Sequence, residues 1–451
     1  MKIIIVGCGK VGETLAAVLS QEDNEITVID RNEAVVERVC SQYDVMGTVG
    51  DGVSFSTQNE ADIAHTDLLI AVTGADEMNL LCCLIARKAG HCQTIARVRN
   101  PRYSKEISFL KEELGLAMVI NPEEAAAQEI ARILRFPSAI EIDVFAKGRV
   151  ELLRFKIPKE SAIDGLNLVD MHAKLKCRVL VCTVERGGEV FIPRGEFTLS
   201  AGDVISIIAS PEDEMQFFRK AGMPMTQIKK VMIVGGGEIS FYLTEQLLKA
   251  GMRVKVIEKD IERCDQLWDT FPKATVVHGD GTDRHLLEEE GIDQTDGFVA
   301  LTSTDEENVI LSLYARRMGC VKLVTKINRY VFEDVLESLE LDSLICPRDI
   351  TAERILQYVR AMNNSMDSNV ETLHQIVDRK VEALEFIIRD GFRMSDTPIR
   401  ELPLRQDVLL ACISRDGKVI LPRGDDCLQT GDSVIVVTTR KGLGDINDIF
   451  A

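Results

Sequence analysis

Apolar residues follow two alternating patterns over about the first 135 positions. Short aliphatic runs, "KIIIVG" from 2, "EITVID" from 25, "DLLIAVT" from 67, "TIARV" from 94 and "AMVI" from 117, are strand-length. Between them lie stretches of helical character beginning near 10, 32, 76, 104 and 122. Strand and helix in strict alternation predict a doubly wound parallel sheet. The next 80 or so residues change rhythm. Strands are expected near 149–157, 177–185, 189–193 and 204–209, with an "RGG" turn at 186–188, in a small α/β module.

The whole pattern then repeats at an offset of 228 or 229 residues. "MKIIIVGCGKVGETL" at the start answers to "KKVMIVGGGEISFYL" at 229–243, and "VGDG" at 49–52 to "HGDG" at 278–281. "AVTGADEMNLLCCLIAR" at 71–87 answers to "ALTSTDEENVILSLYAR" at 300–316, and "FIPRGEFTLSAGDVISIIAS" at 191–210 to "ILPRGDDCLQTGDSVIVVTT" at 420–439. The expected architecture is two Rossmann-like doubly wound parallel-sheet domains, at 1–138 and 228–362, each followed by a small α/β module, at 139–222 and 370–451. Linkers are expected at "RFPSAI" (135–140), "KAGMPMTQIKK" (220–230) and "AMNNSMDSNV" (361–370).

The glycines of "VGCGKVGE" carry the chemistry. Gly7 permits a tight turn at the end of the first strand, Gly9 lets the backbone approach a phosphate, and Gly12 lets the helix pack on the strand. The helix N-terminus is then aimed at a pyrophosphate. Asp30, 18 positions after Gly12 at the end of the second strand, completes the context the motif requires. Its carboxylate would accept from ribose hydroxyls and repel a 2′-phosphate, favouring NAD(H) or ATP and ADP over NADP(H). Asp51, Thr73, Gly74 and Arg97 fall at the carboxyl ends of later strands, where the ligand crevice of such a sheet lies. In the second half Gly235, Gly236 and Gly237 keep a permissive turn, Ser240 stands at Gly12's place, and Glu258 replaces Asp30. Lys326 replaces the planar fork of Arg97 with a point charge. A weaker site, a different ligand or an empty structural copy are all open for this half.

Composition narrows the functions. A formal charge of −19 argues against an extended nucleic-acid interface and against adsorption to anionic lipid. No apolar run approaches the roughly 20 residues of a bilayer-spanning helix. The first strand at Lys2 leaves no room for a signal peptide, so a cytoplasmic location is expected. Twelve scattered cysteines without a CxxC pair suit a reducing compartment, and no metal site is expected. An NAD-dependent oxidoreductase with duplicated nucleotide domains is the rival class. It would need a positioned acid or base, and no such constellation stands out among the six histidines and six tyrosines.

The order "IIIVGCGKVG", "VID", "GDG", "VTGADEMN", "ARVRNP", then a unit with "PRG" and "GD", twice over, resembles the RCK family (regulator of conductance of potassium, also called KTN). The tandem layout is similar to that of the cytosolic regulators of Trk-type potassium uptake. The resemblance covers essentially the whole chain. It implies a non-enzymatic regulatory subunit, assembled as a dimeric or tetrameric ring beneath a membrane potassium-translocating Trk subunit and peripheral to the membrane through that partner. It also implies a gate that answers to NAD(H), with ATP and ADP as further ligands. Carried onto this sequence, the nucleotide residues are Gly7, Cys8, Gly9, Lys10, Val11, Asp30, Thr73, Gly74 and Arg97, with Asp51 beside them. In the second half they are Gly235, Gly236, Gly237, Glu238, Ile239, Glu258, Thr302, Ser303 and Lys326, with Asp280 at the place of Asp51.

Overall fold

A computed structural model describes residues 1–22, 24–104, 106–136, 140–145, 150–223, 228–328, 339, 341–364, 370–377, 380–392, 394–415 and 417–450. The chain begins with β1 (Lys2–Val6), α1 (Lys10–Leu19), β2 (Glu25–Asp30), α2 (Glu33–Tyr43), β3 (Met46–Val49), α3 (Phe55–Glu60), β4 (Leu68–Ala71) and α4 (Asp76–Gly90). It continues through β5 (Gln93–Arg97), α5 (Pro101–Ser104), α6 (Ile107–Leu114), β6 (Met118–Ile120) and α7 (Pro122–Arg135). The six strands form one parallel sheet in the order β3-β2-β1-β4-β5-β6. Every residue of β4 is buried, as a central strand covered by helices on both faces must be. The order reverses between β1 and β4, and ligands of such sheets bind at that switch point.

The first small module holds β7 (Glu141–Phe145), β8 (Val150–Lys156), α8 (Leu168–Leu175), β9 (Val179–Arg186), β10 (Glu189–Phe191), β11 (Val204–Ala209) and α9 (Pro211–Lys220). Its sheet is antiparallel, in the order β10-β9-β11-β8-β7. The four expected strands are present, and β7, α8 and α9 are additional. Leu168–Leu175 spans barely two turns, too short for its periodicity to show in sequence.

The second half repeats both parts, with β12 (Lys230–Val234), α10 (Glu238–Lys249), β13 (Arg253–Glu258), α11 (Ile261–Thr270), β14 (Thr275–His278), α12 (Arg284–Glu289) and β15 (Gly297–Ala300). There follow α13 (Asp305–Arg317), β16 (Lys322–Lys326), β17 (Ser343–Ile345) and α14 (Pro347–Asn364), so the expected linker at 361–370 begins as helix. The last module contains β18 (Val370–Ile376), β19 (Val381–Ile387), β20 (Val408–Arg415), β21 (Lys418–Ile420) and β22 (Ser433–Thr438). Its order, β18-β19-β22-β20-β21, is that of the first module strand for strand.

The halves are not side-by-side copies. The chain forms two compact units, each made of corresponding parts of both halves: residues 1–131 with 228–356, and 132–227 with 357–451. In the second unit one apolar cluster joins Phe145, Val150, Leu152, Cys182 and Ile208 to Val381, Ala383, Ala411, Ile435 and Val437. Alternation along β8 puts Val150 and Leu152 against the other module, and Leu153 and Phe155 against its own helices. Both sheet faces are therefore buried. Cysteine behaves as the small core residue expected: all twelve are unbridged and only Cys40 and Cys427 are even partly exposed. Among the described residues no helix is long and apolar enough to cross a membrane.

One buried charge in the second unit is unbalanced. Glu214 of α9 is completely buried, and neither carboxylate oxygen has a hydrogen-bond partner among the described residues. Burial first, and then repulsion from Glu151, pushes it up to about 8, although Arg135 opposes the shift while pairing with Glu151 at 2.5 Å. Between the ordinary range of an unfolded glutamate and about pH 8 the folded protein therefore holds one more proton than the unfolded one. Stability is unaffected below about pH 4.5 and falls between about 4.5 and 8, by at most about 1.4 kcal/mol per pH unit. Glu214→Gln should flatten this fall, making the variant progressively more stable than the parent as pH rises to 8. Thermal unfolding from pH 5 to 8 measures the difference.

Candidate functional site

The first cradle is built by the exit of β1 into α1. Gly7 has φ +98°, a conformation that only glycine adopts readily, and a Cβ there would lie 3.0 Å from the backbone of Thr73. Gly12 has a harder constraint, because a Cβ on it would lie 1.8 Å from the Gly7 carbonyl oxygen. Gly9 is the N-cap residue of α1, no side chain caps the helix, and the space above Gly9 is open. The first backbone N–H groups of α1 thus face free space, which is the arrangement that receives a phosphate. Asp30 braces the turn: its Oδ2 accepts from Cys8 N–H at 2.8 Å and its Oδ1 from Asn32 N–H at 2.9 Å.

The wall of the site depends on a buried asparagine that sequence reasoning passed over. Asn79 accepts from both the backbone N–H and the hydroxyl of Thr73, at 2.7 Å each, and donates to the Arg97 carbonyl at 2.9 Å. It ties the ends of β4 and β5 together. Asn308 repeats this in the second half, accepting from Thr302 N–H at 2.8 Å and donating to the Lys326 carbonyl at 3.0 Å. The shared asparagine of "GADEMN" and "STDEEN" was the available signal.

A cleft of about 820 Å³ opens over the first cradle. Gly7, Gly9, Lys10, Val11, Asp30, Asp51, Thr73, Gly74 and Arg97 all line it. Cys8 does not; its side chain is buried, and burial pushes its thiol up to about 12. Asp51 is engaged by Arg31 at 2.6 Å. Arg97 pairs with Glu123 of α7 at 3.1 Å while its Nε is buried without a partner, and burial lowers its pKa.

From the second half, Gly237, Glu238, Ile239, Ser240, Lys326 and Arg348 line this same cleft. Gly235, Gly236, Glu258, Asp280, Thr302 and Ser303 do not. The start of α10 therefore faces the space over the first cradle, whereas most of the second cradle does not. A cross-half latch stands nearby, where the Tyr242 hydroxyl donates to the Arg99 carbonyl at 2.8 Å and accepts from Asn121 Nδ2 at 2.9 Å.

The second cradle is furnished differently. Gly237 is again an N-cap without a side-chain cap and with open space above it. Glu258 braces the turn through Gly236 N–H at 2.5 Å and Asp260 N–H at 2.8 Å. Where α1 begins with Lys10, however, α10 begins with Glu238. A carboxylate at a helix N-terminus satisfies the helix dipole, whereas a cation there opposes it. Arg263 donates to the Gly236 carbonyl at 2.6 Å and lies 3.5 Å from Glu238. The second cradle thus carries its own anion, and the first has space and charge for one from outside. Ser240 is fully buried at the place of Gly12, and its Oγ has no hydrogen-bond partner among the described residues.

Gly12→Ala forces α1 away from the Gly7 carbonyl and should destabilise the protein by about 1–3 kcal/mol, the usual range for overpacking. Ser240→Ala removes only a buried orphan hydroxyl and should leave stability unchanged or slightly higher. Thermal unfolding of the two variants side by side checks the contrast.

Comparison with known proteins agrees with this layout. The TrkA-N domain matches residues 3–122 and 231–347, and the TrkA-C domain matches 152–222 and 383–451. A Trk system potassium uptake protein TrkA homolog of Archaeoglobus fulgidus is 32% identical over 450 residues, covering all of both chains. The Trk system potassium uptake protein TrkA of Haemophilus influenzae is 30% identical over 460 residues, covering all of this chain and 98% of that one. Among solved structures, a GsuK channel bound to NAD superposes with a TM-score of 0.64 at 16% identity, over 98% of this chain and 77% of that one. The GsuK RCK domain does so with the same score over 98% and 92%. Two Rossmann sheets, two antiparallel modules and full-length kinship together establish that this chain belongs to the TrkA family of Trk potassium uptake proteins, with its TrkA-N and TrkA-C domains each present twice.

Proposed function

We propose that the protein is the regulatory subunit of a Trk-type potassium transporter, acting at the cytoplasmic face of the membrane through a potassium-translocating partner. Its signal is an adenine nucleotide, NAD(H) or ATP and ADP, held by the first cradle. The observation that carries this reading is that the cleft over the first cradle is lined by both halves. A ligand seated on Gly7, Gly9 and Asp30 touches parts of the chain more than 200 residues apart in sequence, so its occupancy biases their arrangement.

The cradle fits such a ligand. The uncapped N-terminus of α1 receives the pyrophosphate, Asp30 meets the ribose, and Thr73 and Gly74 wall the nucleoside. The bound nucleotide supplies charge and contact, and this chain's residues convert them into a preference between conformations. Pro122 and Glu123 start α7, and Pro347 and Arg348 start α14, all four lining the cleft. The first turns of each helix belong to the first unit and the last residues to the second. Assembly into a ring of several copies would deliver the ligand's conformational preference to a membrane gate.

Burial pushes the Cys82 thiol that lines the cleft up to about 12, far from a neutral-pH thiolate.

Titration calorimetry of the full chain with NADH, NAD, ATP and ADP tests the proposal. At least one should bind saturably and raise the melting temperature, as mass action requires. Asp30→Ala should weaken binding about tenfold or more, the cost of one charge-assisted hydrogen bond. In cells lacking the native regulator, Asp30→Ala should also lower potassium uptake through the transporter. Absence of binding by all four nucleotides would overturn the reading.

A further inference from the structure

We infer that Lys326 and Arg348, both contributed by the second half, hold the terminal phosphate of a nucleoside polyphosphate seated on the first cradle. The second half then reads the ligand of the first and does not need one of its own. This rests on the reading of the first cradle as a nucleotide site.

The argument begins from a departure between the repeats. "NPEEA" at 121–125 and "CPRDI" at 346–350 open α7 and α14, so Glu123 and Arg348 are equivalent positions, as are Arg97 and Lys326. In the first half the two positions form an ion pair, Arg97 with Glu123 at 3.1 Å, and neutralise each other. In the second half the same two positions are both cations. Their charges add.

Neither cation is fully compensated. The Lys326 ammonium makes no hydrogen bond or ion pair with the described residues, though only partly exposed. Burial lowers its pKa first, with Asp305 opposing, nearby Lys10 adding to the shift and Glu123 opposing it in turn. Arg348 keeps a buried Nε without a hydrogen bond; the carboxylate beside it is that of its chain neighbour Asp349, at 3.3 Å. Both side chains line the cleft with Lys10, which sits at the start of α1 where a cation opposes the helix dipole. Lys10 and Lys326, from opposite halves, repel each other, and Arg348 adds a third positive group to the same lining, so an anion seated there would relieve the repulsion. The acids that share the cleft are already engaged in part: Asp30 braces the glycine turn, Asp51 meets Arg31, Glu123 pairs with Arg97 and Glu238 lies 3.5 Å from Arg263. Each of the two glutamates nevertheless keeps one buried oxygen without a hydrogen bond among the described residues.

The chemistry of the ligand follows from where its charge falls. A dinucleotide concentrates both negative charges on the pyrophosphate at the helix N-terminus and presents an uncharged ribose beyond it. ADP and ATP end in a free phosphate with additional charge, which is what Lys326 and Arg348 can hold, the arginine in bidentate fashion. These residues therefore set specificity by phosphate charge.

The full-length protein is titrated with ADP, ATP and NADH by calorimetry, together with Lys326→Gln, Arg348→Gln and Arg348→Glu. The glutamine variants should weaken ATP and ADP about tenfold while NADH changes less than twofold, consistent with loss of one charged contact. Arg348→Glu restores the charge types of the first half, should fold with an unchanged ligand-free melting temperature, and should weaken ATP at least as much as the glutamine variants while NADH changes less than twofold. Arg348→Lys, which keeps the charge, should retain most of the ATP affinity. If the parent binds none of the three ligands, the nucleotide reading itself fails and this inference with it. If the parent binds ATP but the glutamine variants bind it equally well, or lose ATP and NADH alike, the assignment of Lys326 and Arg348 fails alone.

Discussion

The uncapped first turn of α1 is the constraint around which the first unit is arranged. Backbone N–H groups that no side chain satisfies must meet water or an anion, and here they point into a cleft with Lys10 at their edge. To present them, β1 must end in a turn with positive φ at Gly7, and α1 must pass so close that Gly12 carries no side chain. Asp30 keeps that turn in place through the Cys8 amide, and Asn79 keeps the opposite wall in place through Thr73 and Arg97. The whole parallel sheet is the frame that holds these few contacts in register.

Much of this was legible in the chain itself. The glycine spacing, the acid at the end of β2 and the repeat near 228 residues fixed the Rossmann sheets, the duplicated order and most of the first cradle, because each reports a local backbone requirement. Other features were illegible for physical reasons. An internal alignment pairs Glu123 with Arg348 but does not show that both look into one cleft, so a charge reversal reads as drift until the halves are brought together. Asn79 sits inside a helical stretch, where a polar residue ordinarily signals solvent; only its complete burial shows that it bonds two strand ends. The Glu238 carboxylate was read as part of a second nucleotide turn, and its consequence appears only beside Arg263.

The pairing of corresponding parts also explains why the small modules carry so much apolar surface for their size. A five-stranded sheet with one face on its own helices would normally leave the other polar. In the first module Val150, Leu152, Cys182 and Ile208 are apolar on that second face because the other module covers it. Each small module thus lacks a finished interior when taken alone.

Joining the two halves in one chain has a consequence that separate subunits could not reproduce. In a two-fold dimer of identical chains every substitution appears on both sides of the axis, so a glutamate and an arginine cannot occupy equivalent places in the same assembly. Covalent fusion breaks that symmetry. Position 123 can remain acidic to quiet Arg97 while position 348 becomes basic, and Lys10 can face outward ligand while Glu238 silences the opposing helix. The fused pair has a polarity of charge across its cleft, Lys10 opening one helix and Glu238 the other, within a scaffold whose two parallel sheets share one strand order.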